Sequence, residues 1–446
     1  MNSRAVREWL AAEPVFREAA VYLCHQGIAV YLVGGTVRDL LVGRPSYDMD
    51  LAVGGDALGL ARRLADAIGG AFVPMDPARD VARVVVRRTG EERLIDVARL
   101  RAGTIDEDLR ARDYTANALA IPLCNPEQGV LDPTGGRADL EAQTLRATHA
   151  GAFDDDPLRL LRGVRLRAAL GWSIAPETER LMRTWAPALR RVSPERVRDE
   201  LMQILALEDA ADGLAYAHAL GLLTPALPLL EGAALDVGIR RVAALERLEP
   251  LWSASGAPPS ALPDVLRQHL RTYWREALSA GRTRWMVTKL AALLEPRLDV
   301  AGSTAEGLRL SVREVRLVAG AVEAAHQLRE DGWTAPPSPL AIYRYFRRAG
   351  EAGVAGALLS WAAAGGADEV VPGAVTSALV RAWFEEHRQV VNPPPLLTGG
   401  EVMAELGLAP GPRVGRALEA LREAQVQGLV RTAAEARAYL REAERG

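Results

Sequence analysis

The sequence is poor in several residue types, and each scarcity excludes a class of protein. Among its 446 residues are two cysteines, Cys24 and Cys124. They lie far apart in the sequence without nearby histidine pairs, which argues against a disulfide framework and against a zinc site. No apolar run reaches the ~20 residues that span a membrane, and the amphipathic helix predicted at the N-terminus carries acids, unlike a signal peptide. We therefore expect a cytoplasmic protein without a membrane partner.

Lysine is almost absent, and the basic charge is carried by arginine. Lys289 is the only lysine, and the formal net charge is -3. A chain of this charge is not a basic nucleic-acid binder as a whole. The arginines are nevertheless clustered, since ten arginines and three acids lie between Arg159 and Arg198. Such a run indicates either a solvated helix face or a nucleic-acid-binding surface, and composition does not separate the two.

Hydrophobic patterning divides the chain into an α/β part and a helical part. Within the first ~140 residues, helices are predicted at TVRDLLVG and at DALGLARRLADAIGG, and a glycine C-cap closes the second. In the same region, buried strands are predicted at GIAVYLVGG, DMDLAV, VARVVVRR, RLIDVARL and NALAIPL. The later pattern is helical, and its clearest linker is ASGAPPSALPD. The sequence therefore predicts a small α/β head, a mixed sheet with helices, followed by an all-α region.

The strand DMDLAV places two acids on one face. Side chains alternate along a strand, so Asp48 and Asp50 point the same way and Met49 points into the core. Two such carboxylates repel each other unless a cation lies between them. Mg²⁺ is commonly held by one or two carboxylates plus substrate phosphates. Asp96, on a neighbouring predicted strand, is our candidate third catalytic carboxylate. A solvated strand edge for the pair, and a surface or capping acid for Asp96, would fit the same residues.

The turn before this strand has the features of a phosphate-binding site. Gly34 and Gly35 carry no Cβ and allow a ligand to approach the backbone closely. A helix predicted to begin at Thr36 would direct its N-terminal amides at an anion. Arg38 adds a guanidinium that can grip phosphate. A nucleoside triphosphate bound with Mg²⁺ suits both the turn and the carboxylate pair.

Five ordered blocks resemble the motifs of the class II tRNA nucleotidyltransferases, the family of CCA-adding enzymes and bacterial poly(A) polymerases. The blocks are LVGGTVRDLLVGRPSYDMDLAV, DLRARDYTANALA, LDPTGGRADL, DDDPLRLLRGVRLRAAL and SPERVRDEL. The resemblance runs from about residue 28 to residue 205 and continues more weakly to the end. It implies a polymerase-β-like nucleotidyltransferase head at residues 1–140, a helical neck with base recognition at 141–205, a helical body at 206–335 and a tRNA-binding helical tail at 336–446.

The resemblance also implies roles for individual residues. Asp48 and Asp50 would hold the catalytic metals. Arg112 would contact the nucleotide, with Asp113 and Asn117 near its sugar. The full set of nucleotide-binding residues would be Gly34, Gly35, Arg38, Arg112, Asp113, Asn117, Asp156, Arg159, Arg162 and Arg165.

The fourth block also suggests how a base is chosen. Asp156, Arg159, Arg162 and Arg165 step by three, which predicts a ridge along one side of a helix. Asp156 would accept a hydrogen bond from the exocyclic amino group of cytosine or adenine, and Arg159 would donate to the neighbouring ring acceptor. A ladder of salt bridges on an exposed helix would produce the same spacing. Asp155 stands where the family has glutamate. The aspartate retains the negative charge but has a shorter side chain.

The implied activity is template-independent addition of C, A or both, from CTP and ATP, to the 3′ end of tRNA. The segment RLIDVARLRAGTIDEDL is compact where many relatives have a longer flexible stretch, which leaves open a CC-only or A-only enzyme. The sequence is also compatible with a poly(A) polymerase, with a non-catalytic RNA-binding protein and with a transferase that adenylylates a small molecule or protein.

The segment KLAALLEPR puts Glu295 and Pro296 where some relatives carry a His-Asp phosphohydrolase pair, so no phosphatase activity is expected there. The oligomeric state stays open.

Overall fold

In a computed structural model of the chain, the described residues are 2–88, 90–101, 103–230, 232–253, 263–363 and 373–443. They form two compact units. The first comprises Met1–Val192 and Leu220–Pro225, and the second comprises Ser193–Ala219 and Ala226–Gly446. The predicted linker ASGAPPSALPD lies outside the described residues except for its last two positions. The finer division into head, neck, body and tail remains a prediction.

The first unit is built on a mixed sheet that has six strands within the described residues, in the order β3-β4-β5-β2-β1-β6. Strands β2 and β5 are parallel, and the other neighbours are antiparallel. The strands are β1 (Val30–Val33), β2 (Asp48–Val53), β3 (Ala71–Asp76), β4 (Val81–Arg88), β5 (Glu91–Arg99) and β6 (Ala120–Pro122). The five predicted strands are confirmed. The sequence pattern missed β3, because this edge strand contains Pro74 and is largely exposed on both faces.

Helices make up much of the rest of the first unit. They are α1 (Asn2–Ala12), α2 (Pro14–Cys24), α3 (Gly34–Leu41), α4 (Ala57–Ile68), α5 (Ile105–Arg110), α6 (Gly136–Glu141), α7 (Ala152–Asp155), α8 (Arg159–Leu170) and α9 (Pro176–Trp185). The single helix expected at the N-terminus is two helices, because Pro14 starts a new one in the position that proline prefers. The predicted glycine cap of α4 is confirmed, since Gly69 has φ 69°.

A core of this unit lies on one face of the central strands. Met49 and Leu51 of β2 and Ile95 and Val97 of β5 are buried, as the predicted alternation requires. Helix α4 packs against β4 and β5 over this core. The acidic side chains of β2, and Asp96 of β5, therefore lie on the opposite face.

The prediction about the cysteines is wrong. Cys24, at the end of α2, and Cys124, just after β6, form a disulfide with their Cα atoms 5.3 Å apart. The two residues are 100 positions apart in sequence, which hid their proximity. They meet because α2 leads into β1, and β6 is the neighbour of β1 in the sheet.

The region after residue 140 is predominantly helical, as predicted. The later helices are α10 (Pro194–Leu205), α11 (Ala210–Ala219), α12 (Leu223–Ala226), α13 (Ala233–Glu246), α14 (Pro250–Ser253), α15 (Asp264–Arg275), α16 (Arg284–Leu294), α17 (Leu298–Gly307), α18 (Val312–Asp331), α19 (Pro339–Ala349), α20 (Gly353–Ala362), α21 (Gly373–Phe384), α22 (Gly399–Leu406), α23 (Pro412–Val426) and α24 (Ala433–Ala443). Short strands interrupt the pattern, namely β7 (Thr144–Leu145) with β8 (Ser173–Ile174) and β9 (Ala277–Ser279) with β10 (Arg282–Thr283). None of the helices in the described ranges is long and apolar enough to cross a membrane.

Candidate active site

Three acidic residues and one arginine form a row on the polar face of the sheet. Asp48 and Asp50 lie on the face of β2 opposite Met49, and Asp50 pairs with Asp96 in the parallel register of β2 and β5. Asp96 in turn lies directly opposite Arg83 of β4. Arg83 donates from Nε and Nη2 to the two oxygens of Asp96 at 2.7 and 2.8 Å. The sequence placed the carboxylates on one face but gave no sign that Asp96 is held in an ion pair.

The carboxylates of Asp48 and Asp50 are suited to a cation. Burial raises the pKa of both groups, and the charge of Asp96 raises it further. Arg83 opposes this effect at Asp48, and Arg112 opposes it at Asp50. Within the described ranges, no three acidic, histidine or cysteine side chains converge as a metal-binding group. The donor set therefore suits a hard divalent cation held by two carboxylates and completed by oxygen ligands of a substrate.

Thr36 ties α3 to this strand, a role that the sequence did not assign to it. Its Oγ1 donates to the carbonyl of Asp48 at 3.2 Å and accepts from the amide of Asp50 at 2.9 Å. The hydroxyl thus bridges the backbone on both sides of Met49. It fixes the start of α3 relative to the two carboxylates.

The two glycines lie against Asp50, and the approach of a ligand to their backbone remains a prediction. Helix α3 begins at Gly34, two residues earlier than the predicted start at Thr36. Gly34 has φ +66°, and a Cβ there would lie 3.2 Å from Nη1 of Arg112 and 3.5 Å from Oδ2 of Asp50. A Cβ on Gly35 would lie 3.5 Å from Nη2 of Arg38. Glycine at both positions therefore lets the side chains of Asp50, Arg38 and Arg112 lie close to the first turn of α3.

A chain of buried polar side chains links the first, second and fourth motifs. Arg38 donates to Oδ1 of Asn117 at 2.7 Å, and Nδ2 of Asn117 donates to Asp113 at 3.4 Å. Arg162 of α8 donates to the other oxygen of Asp113 at 3.4 Å. Burial alone would raise the pKa of Asp113, but Arg162 and the amide of Tyr114 hold it below its ordinary value. Four residues that the resemblance assigned to the nucleotide are thus neighbours.

Arg112 is positioned by an acid that the sequence motifs did not single out. Its Nε donates to Oδ2 of Asp108 at 3.1 Å, and Oδ1 of Asp108 accepts from the amide of Arg101 at 3.0 Å. Asp108 is buried in α5. The i, i+4 spacing of Asp108 and Arg112 is the signal that could have revealed this pair.

The fourth motif differs from the predicted helical ridge. Asp156 is extended, with φ -151° and ψ 98°, and α8 begins only at Arg159. The prediction that Asp156 shares a helix with the three arginines is therefore wrong. The reason is Pro157, which disfavours the helical conformation for the residue before it. Oδ1 of Asp156 accepts from the amide of Leu158 at 3.2 Å, so the carboxylate helps to start α8.

The three arginines of α8 have different surroundings. Arg159 is buried, and its guanidinium donates to the carbonyls of Ala111 at 2.7 Å, Ala152 at 3.1 Å and Arg112 at 3.2 Å. Arg162 and Arg165 are half-buried at successive steps along α8. In this structure, Arg159 therefore holds backbone segments together, whereas Arg162 contacts the acid of the second motif.

The third motif supports the second. Asp132 accepts from the amides of Gly136 and Arg137 at 2.7 and 3.0 Å, and these hydrogen bonds shape the DPTGG turn. Asp139 of α6 accepts from Oγ1 of Thr115 at 2.7 Å. A Cβ on Gly136 would overlap the carbonyl of Thr115. The glycine therefore allows α6 to pack closely on the turn that carries Asn117.

Glu295 of the second unit lies in an ion-pair cluster. The residue is buried, and its carboxylate contacts Arg329, Arg241 at 3.3 Å and His326 at 3.4 Å. Two guanidinium groups around one carboxylate are a poor environment for a metal cation. Some relatives carry a phosphohydrolase pair at this position. Here Glu295, at the end of α16, instead forms ion pairs with residues of α13 and α18.

Comparisons with known proteins agree with the motifs. Residues 30–146 match the family model described as the poly A polymerase head domain, and residues 171–233 match a probable RNA- and SrmB-binding site of polymerase A. A CC-adding tRNA nucleotidyltransferase of Geobacter sulfurreducens is 37% identical over 93% of this chain and 92% of its own length. An A-adding tRNA nucleotidyltransferase of Deinococcus radiodurans is 35% identical over 92% of this chain and 94% of its own.

Solved structures share the fold. A CCA-adding enzyme in complex with CTP superposes with a TM-score of 0.70 at 22% identity, and 99% of each chain is covered. The Thermotoga maritima CCA-adding enzyme in complex with tRNA has a TM-score of 0.65 at 22% identity, with 98% of each chain covered. The relatives above 30% identity, matched over nearly their whole length, establish more than the fold. The chain belongs to the tRNA nucleotidyltransferase family and is a nucleotidyltransferase enzyme.

Proposed function

We propose that this protein adds cytidine, adenosine or both to the 3′ end of tRNA, using CTP and ATP with Mg²⁺ and releasing pyrophosphate. The observation that carries the proposal is the pair of carboxylates, Asp48 and Asp50, beside the Gly34–Gly35 turn and Arg38. Relatives named for CC addition and for A addition support it, as do structural neighbours solved with CTP and with tRNA. Because this reaction needs tRNA, CTP and ATP together, we propose a cytoplasmic location.

The reaction is an in-line displacement in which the RNA 3′-hydroxyl attacks the α-phosphate. Asp48 and Asp50 would hold Mg²⁺, which activates the hydroxyl and stabilises charge on the reacting oxygens when bound. The first amides of α3 and Arg38 would bind the β- and γ-phosphates, and Arg112, whose Nη1 lies beside Gly34, would also contact the nucleotide. These groups contribute by positioning the triphosphate and by neutralising charge that develops in the transition state.

The base would be read where the second and fourth motifs meet. Asp113 and Asn117 would lie near the sugar, and Asp156, Arg162 and Arg165 would line the base. For Arg159 the proposal has a specific requirement. Three of the five N–H donors of its guanidinium serve the carbonyls of Ala111, Arg112 and Ala152, so one of the other two would have to donate to the base.

A partial enzyme that adds only one kind of nucleotide is the second candidate. Strand β5 ends at Arg99 and α5 begins at Ile105, so the connection between them is short. By resemblance, a longer flexible element in this region accompanies switching from C to A addition. Relatives of both partial types are similarly close in sequence, at 37% and 35% identity, so identity does not choose between CC and A.

The test uses three tRNA transcripts that end before the first C, after one C and after both. Each receives Mg²⁺ with CTP, ATP or both, and products are separated at single-nucleotide resolution. Completion of CCA from the shortest transcript would establish the full activity. Arrest at CC, or A addition to the longest transcript alone, would establish a partial enzyme. Long A tails on any RNA would identify a poly(A) polymerase, and no incorporation on any transcript would refute the proposal.

A further inference from the structure

The ion pair of Arg83 and Asp96 lies on the catalytic face itself. Arg83, Asp96 and Asp50 are direct neighbours across β4, β5 and β2. The side chains of Arg83 and Asp96 are 33% and 34% exposed, so the pair lines the surface on which Asp48 and Asp50 lie. Arg83 is therefore a cation at the end of a row of acids.

The geometry of the pair determines what Asp96 can bind. Nε of Arg83 donates to Oδ1 and Nη2 donates to Oδ2, at 2.7 and 2.8 Å. This fork-like pairing is the strong, directional form of an arginine–carboxylate contact. A divalent cation would use the same two oxygens and would be repelled by the guanidinium. Arg83 and a metal thus compete for Asp96.

The influence of Arg83 extends beyond its partner. Its own pKa is raised by the hydrogen bonds to Asp96 and then by the charges of Asp96, Asp48 and Asp50. In the same row, Arg83 lowers the pKa of Asp48 against the effects of burial and Asp96. One guanidinium therefore compensates part of the negative charge of the face before any metal binds.

We propose that Arg83 is a counter-cation that withholds Asp96 from the metal, so that Asp48 and Asp50 are the only protein carboxylates that bind it. This inference rests on the proposed function and specifies the ligand set of its metal. A site with two carboxylates binds a divalent cation weakly until nucleotide phosphates complete the coordination. Metal and nucleotide therefore bind together, and the free enzyme holds little metal.

The test measures the binding of Mn²⁺ to the nucleotide-free protein. The electron paramagnetic resonance signal of free Mn²⁺ reports how much of the metal remains unbound. The decisive variant is Arg83→Met/Asp96→Asn, because it removes the pair without changing the net charge of the face. We expect its Kd for Mn²⁺ to stay within about threefold of the unsubstituted protein. The single variant Arg83→Met releases Asp96 and removes a positive charge, and we expect it to bind Mn²⁺ about tenfold more tightly or better.

Binding that is tenfold weaker in the double variant would show that Asp96 is already a metal ligand and would overturn the proposal. Unchanged binding in Arg83→Met would also overturn it. A matched control is Arg87→Met/Glu92→Gln, which removes the exposed cross-strand pair at the far end of the same two strands and is expected to have no effect. The variant Asp50→Asn distinguishes a failure of the Arg83 proposal from a failure of the proposed function. If this variant still binds Mn²⁺, the metal assignment of the proposed function is wrong, whatever Arg83 does.

Discussion

Arg38 and Asn117 are joined by a buried hydrogen bond of 2.7 Å, although 79 residues separate them in sequence. Arg38 lies on the helix that follows the glycine turn, and Asn117 lies in the turn of the second motif. Through Asn117 the contact continues to Asp113 and Arg162. The part of the site assigned to the triphosphate is thereby fixed to the part assigned to the base.

Loss of this contact is expected to weaken nucleotide binding. Asn117→Ala leaves the buried guanidinium of Arg38 without one acceptor, a loss that costs roughly 1–3 kcal/mol. We expect KM for the nucleotide to rise about tenfold and kcat to fall, because Arg38 is no longer held in place. Steady-state kinetics on a tRNA transcript measures both. Asn125→Ala is the control, since Asn125 is exposed and its side chain makes no capping hydrogen bond. Equal KM values in the two variants would contradict the role of Asn117.

Asp50→Asn is expected to separate catalysis from stability. The amide cannot replace a metal-binding carboxylate, and metal-ion stabilisation is worth several kcal/mol, so the rate should fall on the order of 10³-fold. The folded protein, however, should become more stable in metal-free buffer. The raised pKa of Asp50 means that its ionised form destabilises the native state at neutral pH.

The sign of this effect gives a pH test. The unfolded state loses the Asp50 proton at lower pH than the folded state, so the penalty is present at neutral pH and disappears as the pH falls through the folded pKa. Thermal unfolding of Asp50→Asn and the unsubstituted protein should thus differ at neutral pH and converge in acid. Without nucleotide, Mn²⁺ at concentrations above its Kd should raise the Tm of the unsubstituted protein and leave that of the variant unchanged. A variant that is less stable at neutral pH would refute the electrostatic explanation.

Gly163 of α8 is expected to tolerate no side chain. Oη of Tyr114 donates to the carbonyl of Arg159 at 2.8 Å, and a Cβ on Gly163 would overlap this hydroxyl. Gly163→Ala must displace α8 or Tyr114, and overpacking of this kind costs about 1–3 kcal/mol. We expect a lower Tm and reduced transfer, because Arg162 moves with α8. Gly163→Ala/Tyr114→Phe removes the overlapping oxygen and should recover part of the loss, whereas an unchanged defect would place its cause elsewhere.

Lys289, the only lysine of the chain, is expected to contribute to stability rather than to RNA binding. Its Nζ is buried and donates to the carbonyl of Leu207 at 2.8 Å and to Glu246 at 2.7 Å. Lys289→Met leaves Glu246 buried without its cation, and breaking a buried pair in this way costs about 3–5 kcal/mol. Urea denaturation, monitored by circular dichroism, should show the lower free energy of unfolding. Normal stability combined with weaker tRNA binding would contradict this assignment.

The disulfide is expected to stabilise the first unit without serving the reaction. It closes a loop of 100 residues, and in the chain-entropy model such a cross-link contributes up to about 4.7 kcal/mol. Cys24→Ser, or reduction with dithiothreitol, should therefore lower the Tm. Transfer activity below the transition should stay the same, because neither cysteine belongs to the site. Mass spectrometry after alkylation under non-reducing conditions counts free thiols, and two free thiols would refute the bond.

Local rules accounted for much of the fold and for part of the site. Side chains alternate between the two faces of a strand. The six residues of β2 were therefore enough to predict that Met49 is buried and that Asp48 and Asp50 share a face. The glycine cap of α4 and the helical character of the later chain followed in the same way. By contrast, β3 was missed because an exposed edge strand lacks a hydrophobic pattern, and Asp156 was misplaced because the effect of Pro157 outweighed the three-residue spacing.

Contacts between distant segments were decided only by the tertiary structure. The register of β4, β5 and β2 pairs Asp96 with Arg83, the meeting of α2 and β6 joins Cys24 to Cys124, and the packing of α8 directs Arg159 onto backbone carbonyls. The sequence by itself determined which residue types were present and which face of each element they occupied, because both depend on neighbours along the chain. Which charges meet depends on how elements are paired, and that is set by the packing of the whole core.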